Sequence, residues 1–302
     1  MEREHLKLLH RIAIALEAHM PPVAPAIDLA GADAFIWSAD KRELKAVHKT
    51  SHIDISLLQG IERQKEVLWE NTKYFSDGYL ANNVLIWGAR GTGKSSLVKA
   101  VHAEINRQKH GALALIEIYR EDVHSLADLL EILETSDRRF VIYCDDLSFD
   151  ANDNSYKSLK AVLDGGLRGR PENVLFYATS NRRHLLSRDM IENEQAAAVH
   201  AGEVNEEKIS LSDRFGLWIG FHKHDQATYL DIVRTYAQHF NLGIDEDELK
   251  HHALEWSVTR GGRSGRVAWQ FIQSAAAQYA HAVSSDDTRE EGEGRPRKLH
   301  AS

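Results

Sequence analysis

The 302-residue sequence is poor in cysteine, proline and methionine, with one, five and three of each. The lone thiol, Cys144, excludes a disulfide framework, and its place inside an apolar run suits a reducing, cytoplasmic setting. No apolar stretch approaches the roughly 18 residues that cross a bilayer, so no membrane partner is expected. The N-terminus, Met-Glu-Arg-Glu-His, opens on charges without an apolar h-region, which argues against a signal peptide. Positive charge is not in excess: 37 Lys and Arg stand against 45 Asp and Glu, a formal charge of −8. A global basic footprint for nucleic acid is therefore missing, while a local basic surface stays open. There is no repeat at a solenoid period. The 17 histidines show no convincing metal spacing. His222-Lys-His224 would point two rings one way on a strand, but no third ligand accompanies them.

The rest of the composition is ordinary, at 43% hydrophobic and 27% charged, enough for one large domain with a small attachment. Its organising stretch is Gly88-Ala89-Arg90-Gly91-Thr92-Gly93-Lys94-Ser95, followed by Ser96. The apolar run Val84–Trp87 precedes it, and Leu97–Val101 reads as the first turns of a helix. Strand, glycine loop and helix are the setting in which this pattern cradles phosphate. Glycines let backbone N–H groups turn inward toward an anion, and the helix adds the positive end of its dipole. Lys94 is placed to reach the β- and γ-phosphates of a nucleotide, and the Ser95 hydroxyl to hold Mg²⁺.

From Asn83 onward, apolar strands alternate with helices. Strands are expected at 84–87, 112–119, 140–144, 174–180 and 217–221, and helices near 94–109, 123–135 and 152–164. This predicts an α/β fold, three layers deep, around a parallel sheet buried on both faces. After Phe221 three helical stretches follow, near 225–241, 245–258 and 264–282. The resulting division is an N-terminal helical extension at 1–49, a nucleotide-binding α/β domain at 50–222, a helical lid at 223–283 and a disordered tail at 284–302. Within the extension, 5–19 carries an apolar stripe ended by Pro21-Pro22, and Phe35–Trp37 is a short anchoring segment. A further helix is expected from Asp54 to Tyr74. Arg188–Lys208 is a long segment without clear periodicity.

Two more elements carry chemistry. Phe140-Val-Ile-Tyr-Cys-Asp145-Asp146 is a buried strand ending in paired acids, at the end of a sheet where ligands bind. Asp145 is placed to hold the Mg²⁺ shell, and Asp146 to orient or deprotonate an attacking water. The alternative is a solvated turn, which Asp favours. Ala178-Thr-Ser-Asn181 ends another apolar strand, and its amide would contact the γ-phosphate or the water.

In this order the pieces resemble an AAA+ ATPase, with Walker A at 88–95, Walker B at 140–146 and sensor 1 at Asn181. Asp213-Arg214-Phe-Gly is similar to the box that carries the arginine finger in AAA+ initiators and branch-migration motors. Arg266, opening the last helix, resembles sensor 2, with Arg263 a rival. Asp-Asp-Leu-Ser-Phe, Ala-Thr-Ser-Asn-Arg-Arg-His-Leu and Leu-Ser-Asp-Arg-Phe-Gly-Leu look like a bacterial AAA+ family described only as a domain of unknown function, over roughly 50–282. The resemblance implies ATP and Mg²⁺ as cofactors, ATP hydrolysis, and a homo-oligomer, ring or filament, in which Arg214 reaches a neighbour's γ-phosphate. The other reading of Arg214 is a surface pair with Asp213.

Two departures matter. Asp146 stands where many motors have Glu, a form seen in replication initiators and helicase loaders. No aromatic–apolar–Gly pore loop precedes the Walker B strand, which counts against substrate threading. The alternative function is an ATP-gated, DNA-associated loader or remodelling factor with slow hydrolysis. Arg182, Arg183 and His184, with Arg168 and Arg170, would then form a basic patch, or else are solvated loop charges.

Overall fold

The structure is a computed structural model that describes residues 28–149, 155–165, 170–183, 185 and 211–286, with the isolated positions 5 and 10; side-chain placement ends at 278. The expectations for the stripe at 5–19, its proline stop, Arg168, His184 and Arg188–Lys208 therefore fall wholly or largely outside the described residues. So does the tail beyond 286.

Among the described residues seven strands form one sheet. They are β1 (Ala34–Ser38), β2 (Glu43–Ala46), β3 (Val84–Gly88), β4 (Leu113–Glu117), β5 (Arg139–Cys144), β6 (Val174–Ser180) and β7 (Leu217–Phe221). Their order is β2-β1-β4-β5-β6-β3-β7, and every pairing is parallel except β1 with β2. The helices are α1 (Glu62–Ser76), α2 (Lys94–Gln108), α3 (Leu126–Glu134), α4 (Ser155–Asp164), α5 (Gln226–His239), α6 (Glu246–Thr259) and α7 (Gly265–Asp286).

Strand alternation sorts the apolar residues onto two faces. Along β5, Phe140, Ile142 and Cys144 join the core under α3 and α4, with Leu126, Leu129 and Leu159. Val141 and Tyr143 face the opposite way, toward Leu68 of α1 and Leu97, Val98 and Val101 of α2. This is the three-layer arrangement that continuous apolar strands predict. A third cluster joins α5, α6 and α7 through Tyr229, Val233, Leu249, Ala253, Ala268 and Ile272. Leu57, from a 3₁₀ turn at Ile55–Leu57, belongs to that cluster and ties the helical end to the sheet.

The N-terminal part differs from the helical extension expected. Residues 34–46 are strands that widen the sheet beyond β4. The reason is packing: Phe35 and Trp37 are almost wholly buried on one face, and burying a Phe alone contributes about 1.5–3 kcal/mol. Trp37 Nε1 donates to Ser125 Oγ at 2.8 Å. Arg138 donates to the Leu29 and Ala32 carbonyls and to Asp33, which fixes the entry to β1. The helix expected at 54–74 is also split, into the 3₁₀ turn and α1.

β3 lies between β6 and β7. The chain leaves β3 through α2 toward β4, while β6 leads to β7 on the other side. This reversal opens a crevice at the carboxyl end of β3.

Candidate functional site

The glycine loop begins where β3 ends. Gly88 has φ +136°, and a Cβ there would lie 1.9 Å from the Phe221 carbonyl oxygen of β7. Only glycine lets the two strands stay this close, and Ala89 N then donates to Phe221 O at 3.1 Å. Gly91 has φ +75°, and a Cβ there would meet Ser264 Oγ at 2.8 Å and Arg266 Cβ at 3.3 Å. That close approach allows Arg266 N to donate to Gly91 O at 3.1 Å. Gly91 is thus a seam between the loop and the start of α7. Thr92 Oγ1 donates to Ala89 O at 2.8 Å and tightens the loop.

Lys94 opens α2 and is 7% exposed. Its Nζ donates to Gly88 O at 2.9 Å, Ala89 O at 2.8 Å and Asn181 Oδ1 at 3.1 Å. Burial pulls its pKa down, with Asp145 and Asp146 pulling the other way. A buried ammonium whose carbonyl partners carry no net charge is a good host for an anion. Ser95 Oγ donates to Asp145 Oδ1 at 2.7 Å, and Thr179 Oγ1 donates to the same oxygen. Burial alone would raise Asp145, but the Thr179 and Ser95 hydrogen bonds outweigh it and hold the carboxyl below its ordinary value. Asp146 occupies the left-handed region at φ +50°, unusual for a residue with a side chain. Its N–H donates to Thr179 Oγ1 at 2.9 Å, and Leu147 N to Thr179 O at 2.7 Å, which pins the strained turn to β6. Asn181 Nδ2 donates to Asp146 Oδ1, so Asn181 bridges Lys94 and Asp146.

These groups open onto a cleft of about 590 Å³ between the sheet and the C-terminal helices, within the range of small-molecule sites. Arg90 to Ser96, Asp145, Asp146, Thr179 and Asn181 form its polar end. Ile53, Leu57, Leu58 and Ile61 line the apolar end on one side, and Ile232 and Tyr236 of α5 and Trp269 of α7 on the other. Tyr236 and Trp269 meet edge to face at 5.3 Å. His224, at the exit from β7, also lines the cleft, and burial lowers its pKa. A polar, cationic end facing an aromatic end is the shape of a nucleotide: phosphates at one side, base at the other. Ser95 and Asp145 supply hard oxygen donors of the kind Mg²⁺ takes, and the space that Gly88 and Gly91 leave is the cradle. The donor set fits the metal.

The structure brings Arg90, Gly91, Thr92, Gly93, Lys94, Ser95, Ser96, Asp145, Asp146, Asn181 and Arg266 to one cleft. Gly88 and Ala89 sit behind it and present carbonyls to Lys94. Arg266 lines the cleft and Arg263 does not. Arg214 lies elsewhere. It precedes β7, at the amino end of the sheet, and its Nε donates to Asp164 at the end of α4. Arg170 is half-buried before β6, bound to Asn83 and Ala81, and stands at the opposite end of that strand from Arg182 and Arg183. The sequence pattern missed Thr179, whose signal is its place two residues before Asn181. It also missed the base-side wall of 53–61, Tyr236 and Trp269, which only the fold assembles. Among the described residues no group of three His, Cys, Asp or Glu could hold a metal, and no helix is long and apolar enough to cross a membrane.

The fold and cleft define an AAA+ P-loop NTPase fold. The Aeropyrum pernix Orc1 protein, solved in complex with DNA, superposes with TM-score 0.51 at 17% identity, over 80% of this chain and 63% of its own. A Thermotoga maritima RuvB mutant gives 0.49 at 17%, over 75% and 65%, and a DNA replication initiation factor 0.45 at 15%, over 76% and 64%. This chain thus spans a little under two thirds of each of those solved chains. No curated protein matches it. The chain belongs to the family described as Protein of unknown function (DUF815), which matches residues 30–279.

Proposed function

We propose that the protein is a Mg²⁺-dependent ATPase whose nucleotide state sets the angle of its lid and its contacts with further copies. The observation that carries this reading is the convergence of Lys94, Asn181, Asp145 and Asp146 with the start of α2 on one cleft. The loop N–H groups and Lys94 bind the triphosphate, and Arg266 reaches it from the lid. Ser95 and Asp145 would hold Mg²⁺, which would supply charge neutralisation at the phosphate oxygens. Asp146, released from Asn181, orients and deprotonates the attacking water. Ile61, Tyr236 and Trp269 shelter the base. The division into a core at 50–222 and a lid at 223–283 belongs to the same reading, as does a cytoplasmic, reducing location for the buried Cys144.

Arg214 is too far round the sheet to serve its own cleft. It acts in the cleft of a neighbouring copy, and the chain is a homo-oligomer, a ring or filament. An arginine supplied in this way is worth about 10³–10⁵ in rate.

Titration of Mg·ATP into the protein, with turnover measured in parallel, tests the reading. Wild type should bind saturably and hydrolyse ATP, Asp146→Asn should bind without turnover, and Lys94→Ala should lose both. Undiminished affinity in Lys94→Ala would rule out this site.

A second reading, an ATP-gated factor acting on DNA, draws on one cluster. The exposed Arg183 lies 5.4 Å above the Trp87 ring, which meets His222 edge to face, beside the loop. A cation over a half-buried aromatic at the surface suits stacked bases and phosphates. ATP turnover stimulated by DNA, with binding that weakens steeply in salt, would favour it.

A further inference from the structure

Tyr143 lies two residues before Asp145 on the face of β5 that meets α2, and it is wholly buried. Its hydroxyl makes no hydrogen bond among the described residues, a rare state for a buried polar atom. Yet its surroundings are polar. The Asp145 carboxylate and the Ser95 and Thr179 hydroxyls all act on it, and burial followed by Asp145 pushes its pKa well up. Its register partner on β6, Tyr177, is the contrast. Tyr177 is equally buried, but its hydroxyl is satisfied by Asn71 Nδ2 at 3.0 Å and Thr72 Oγ1 at 2.9 Å. One buried phenol is therefore a structural strut, and the other sits without an aligned partner beside the candidate metal ligands.

Asp145 Oδ1 accepts from Ser95 Oγ, Thr179 Oγ1 and its neighbour's N–H at 3.2 Å, and the carboxylate has a second oxygen to offer Tyr143. A Ser95 hydroxyl that gives a lone pair to a metal still has its proton to donate to Asp145, and a further donor behind the carboxylate fixes its angle to the ion. We propose that Tyr143 is a positioning residue for the magnesium site, its hydroxyl donating to the Asp145 carboxylate when Ser95 and Asp145 hold the ion. This rests on the Mg·ATP reading and adds to it. Such outer groups fix the orientation of metal-bound carboxylates, and their loss typically costs about 10–100-fold in metal affinity.

The test compares Tyr143→Phe with Tyr177→Phe, measuring fluorescent ATP-analogue affinity across a Mg²⁺ titration and in EDTA, and thermal unfolding without ligand. Tyr143→Phe should raise the Mg²⁺ midpoint about 10-fold or more and leave affinity in EDTA unchanged. It should melt no lower than wild type, since no hydrogen bond is lost. Tyr177→Phe should melt lower and keep the wild-type Mg²⁺ midpoint. An unchanged midpoint in Tyr143→Phe, or equal losses with and without Mg²⁺, would overturn the proposal. Wild-type protein that binds no nucleotide in either condition would instead remove the ATPase reading beneath it.

Discussion

Gly91→Ala puts a methyl group at the seam where loop and lid touch. The backbone there is left-handed, at φ +75°, which costs an alanine about 1–2 kcal/mol. The new Cβ would also lie 2.8 Å from Ser264 Oγ, so Ser264 must rotate. That rotation gives up its bond from Val267 N, now 3.3 Å, at the start of α7. Losing such a cap costs about 0.5–2 kcal/mol. Together these come to about 1.5–4 kcal/mol against the docked helical end, or roughly 10–700-fold in its population. Hydrogen exchange at the Arg266 amide reads this directly, because that amide donates to Gly91 O at 3.1 Å when the lid is docked. Gly262→Ala is the matched control, since a Cβ there meets nothing within 4 Å. The expected result is much faster exchange at Arg266 in Gly91→Ala and wild-type exchange in Gly262→Ala. Equal protection in all three proteins would refute the seam.

Asn83 Oδ1 accepts from Phe176 N at 2.9 Å and Arg170 Nη1 at 2.7 Å inside the sheet, so Asn83→Ala should cost about 2–4 kcal/mol in urea unfolding. Arg214→Ala should keep ATP affinity but lose the rise of turnover per subunit with protein concentration. Its lost pair with Asp164, 41% exposed, is worth only about 0–1 kcal/mol in melting experiments. For Asp145, burial works against the charge and the Thr179 and Ser95 hydrogen bonds prevail, so its folded pKa lies below the ordinary 3.8. A depressed carboxylate lends stability above its unfolded pKa and loses it as pH falls through the folded one. The stability gap between wild type and Asp145→Asn should therefore hold steady from neutral pH down to about pH 5 and shrink below about pH 4.

The parallel sheet was legible because its strands are short apolar runs with turn or acidic residues at their ends, and β3, β5, β6 and β7 fall where those runs predict. Local pattern also put Lys94 at the start of the helix after β3 and Asp145, Asp146 and Asn181 just past strand ends, and parallel strands bring such ends to one side. The edge strands β1 and β2 were not legible. Four apolar residues at 34–37 fit an anchor as well as a strand, and only Trp37 reaching Ser125 across the chain decides between them. The base-side wall was hidden for a similar reason, since Leu58 and Trp269 lie on distant helical patterns that each explain them as core. The Arg214–Asp164 pair was hidden too, because Asp164 is 50 positions away and Asp213 is adjacent.

The most direct measurement is an experimental structure of the protein with Mg²⁺ and a non-hydrolysable ATP analogue. The account predicts the β- and γ-phosphates against Lys94 Nζ, the ion between Ser95 and Asp145, and the base against Trp269. An analogue bound elsewhere, with Lys94 still donating to the Gly88 and Ala89 carbonyls and the cleft empty, would contradict it.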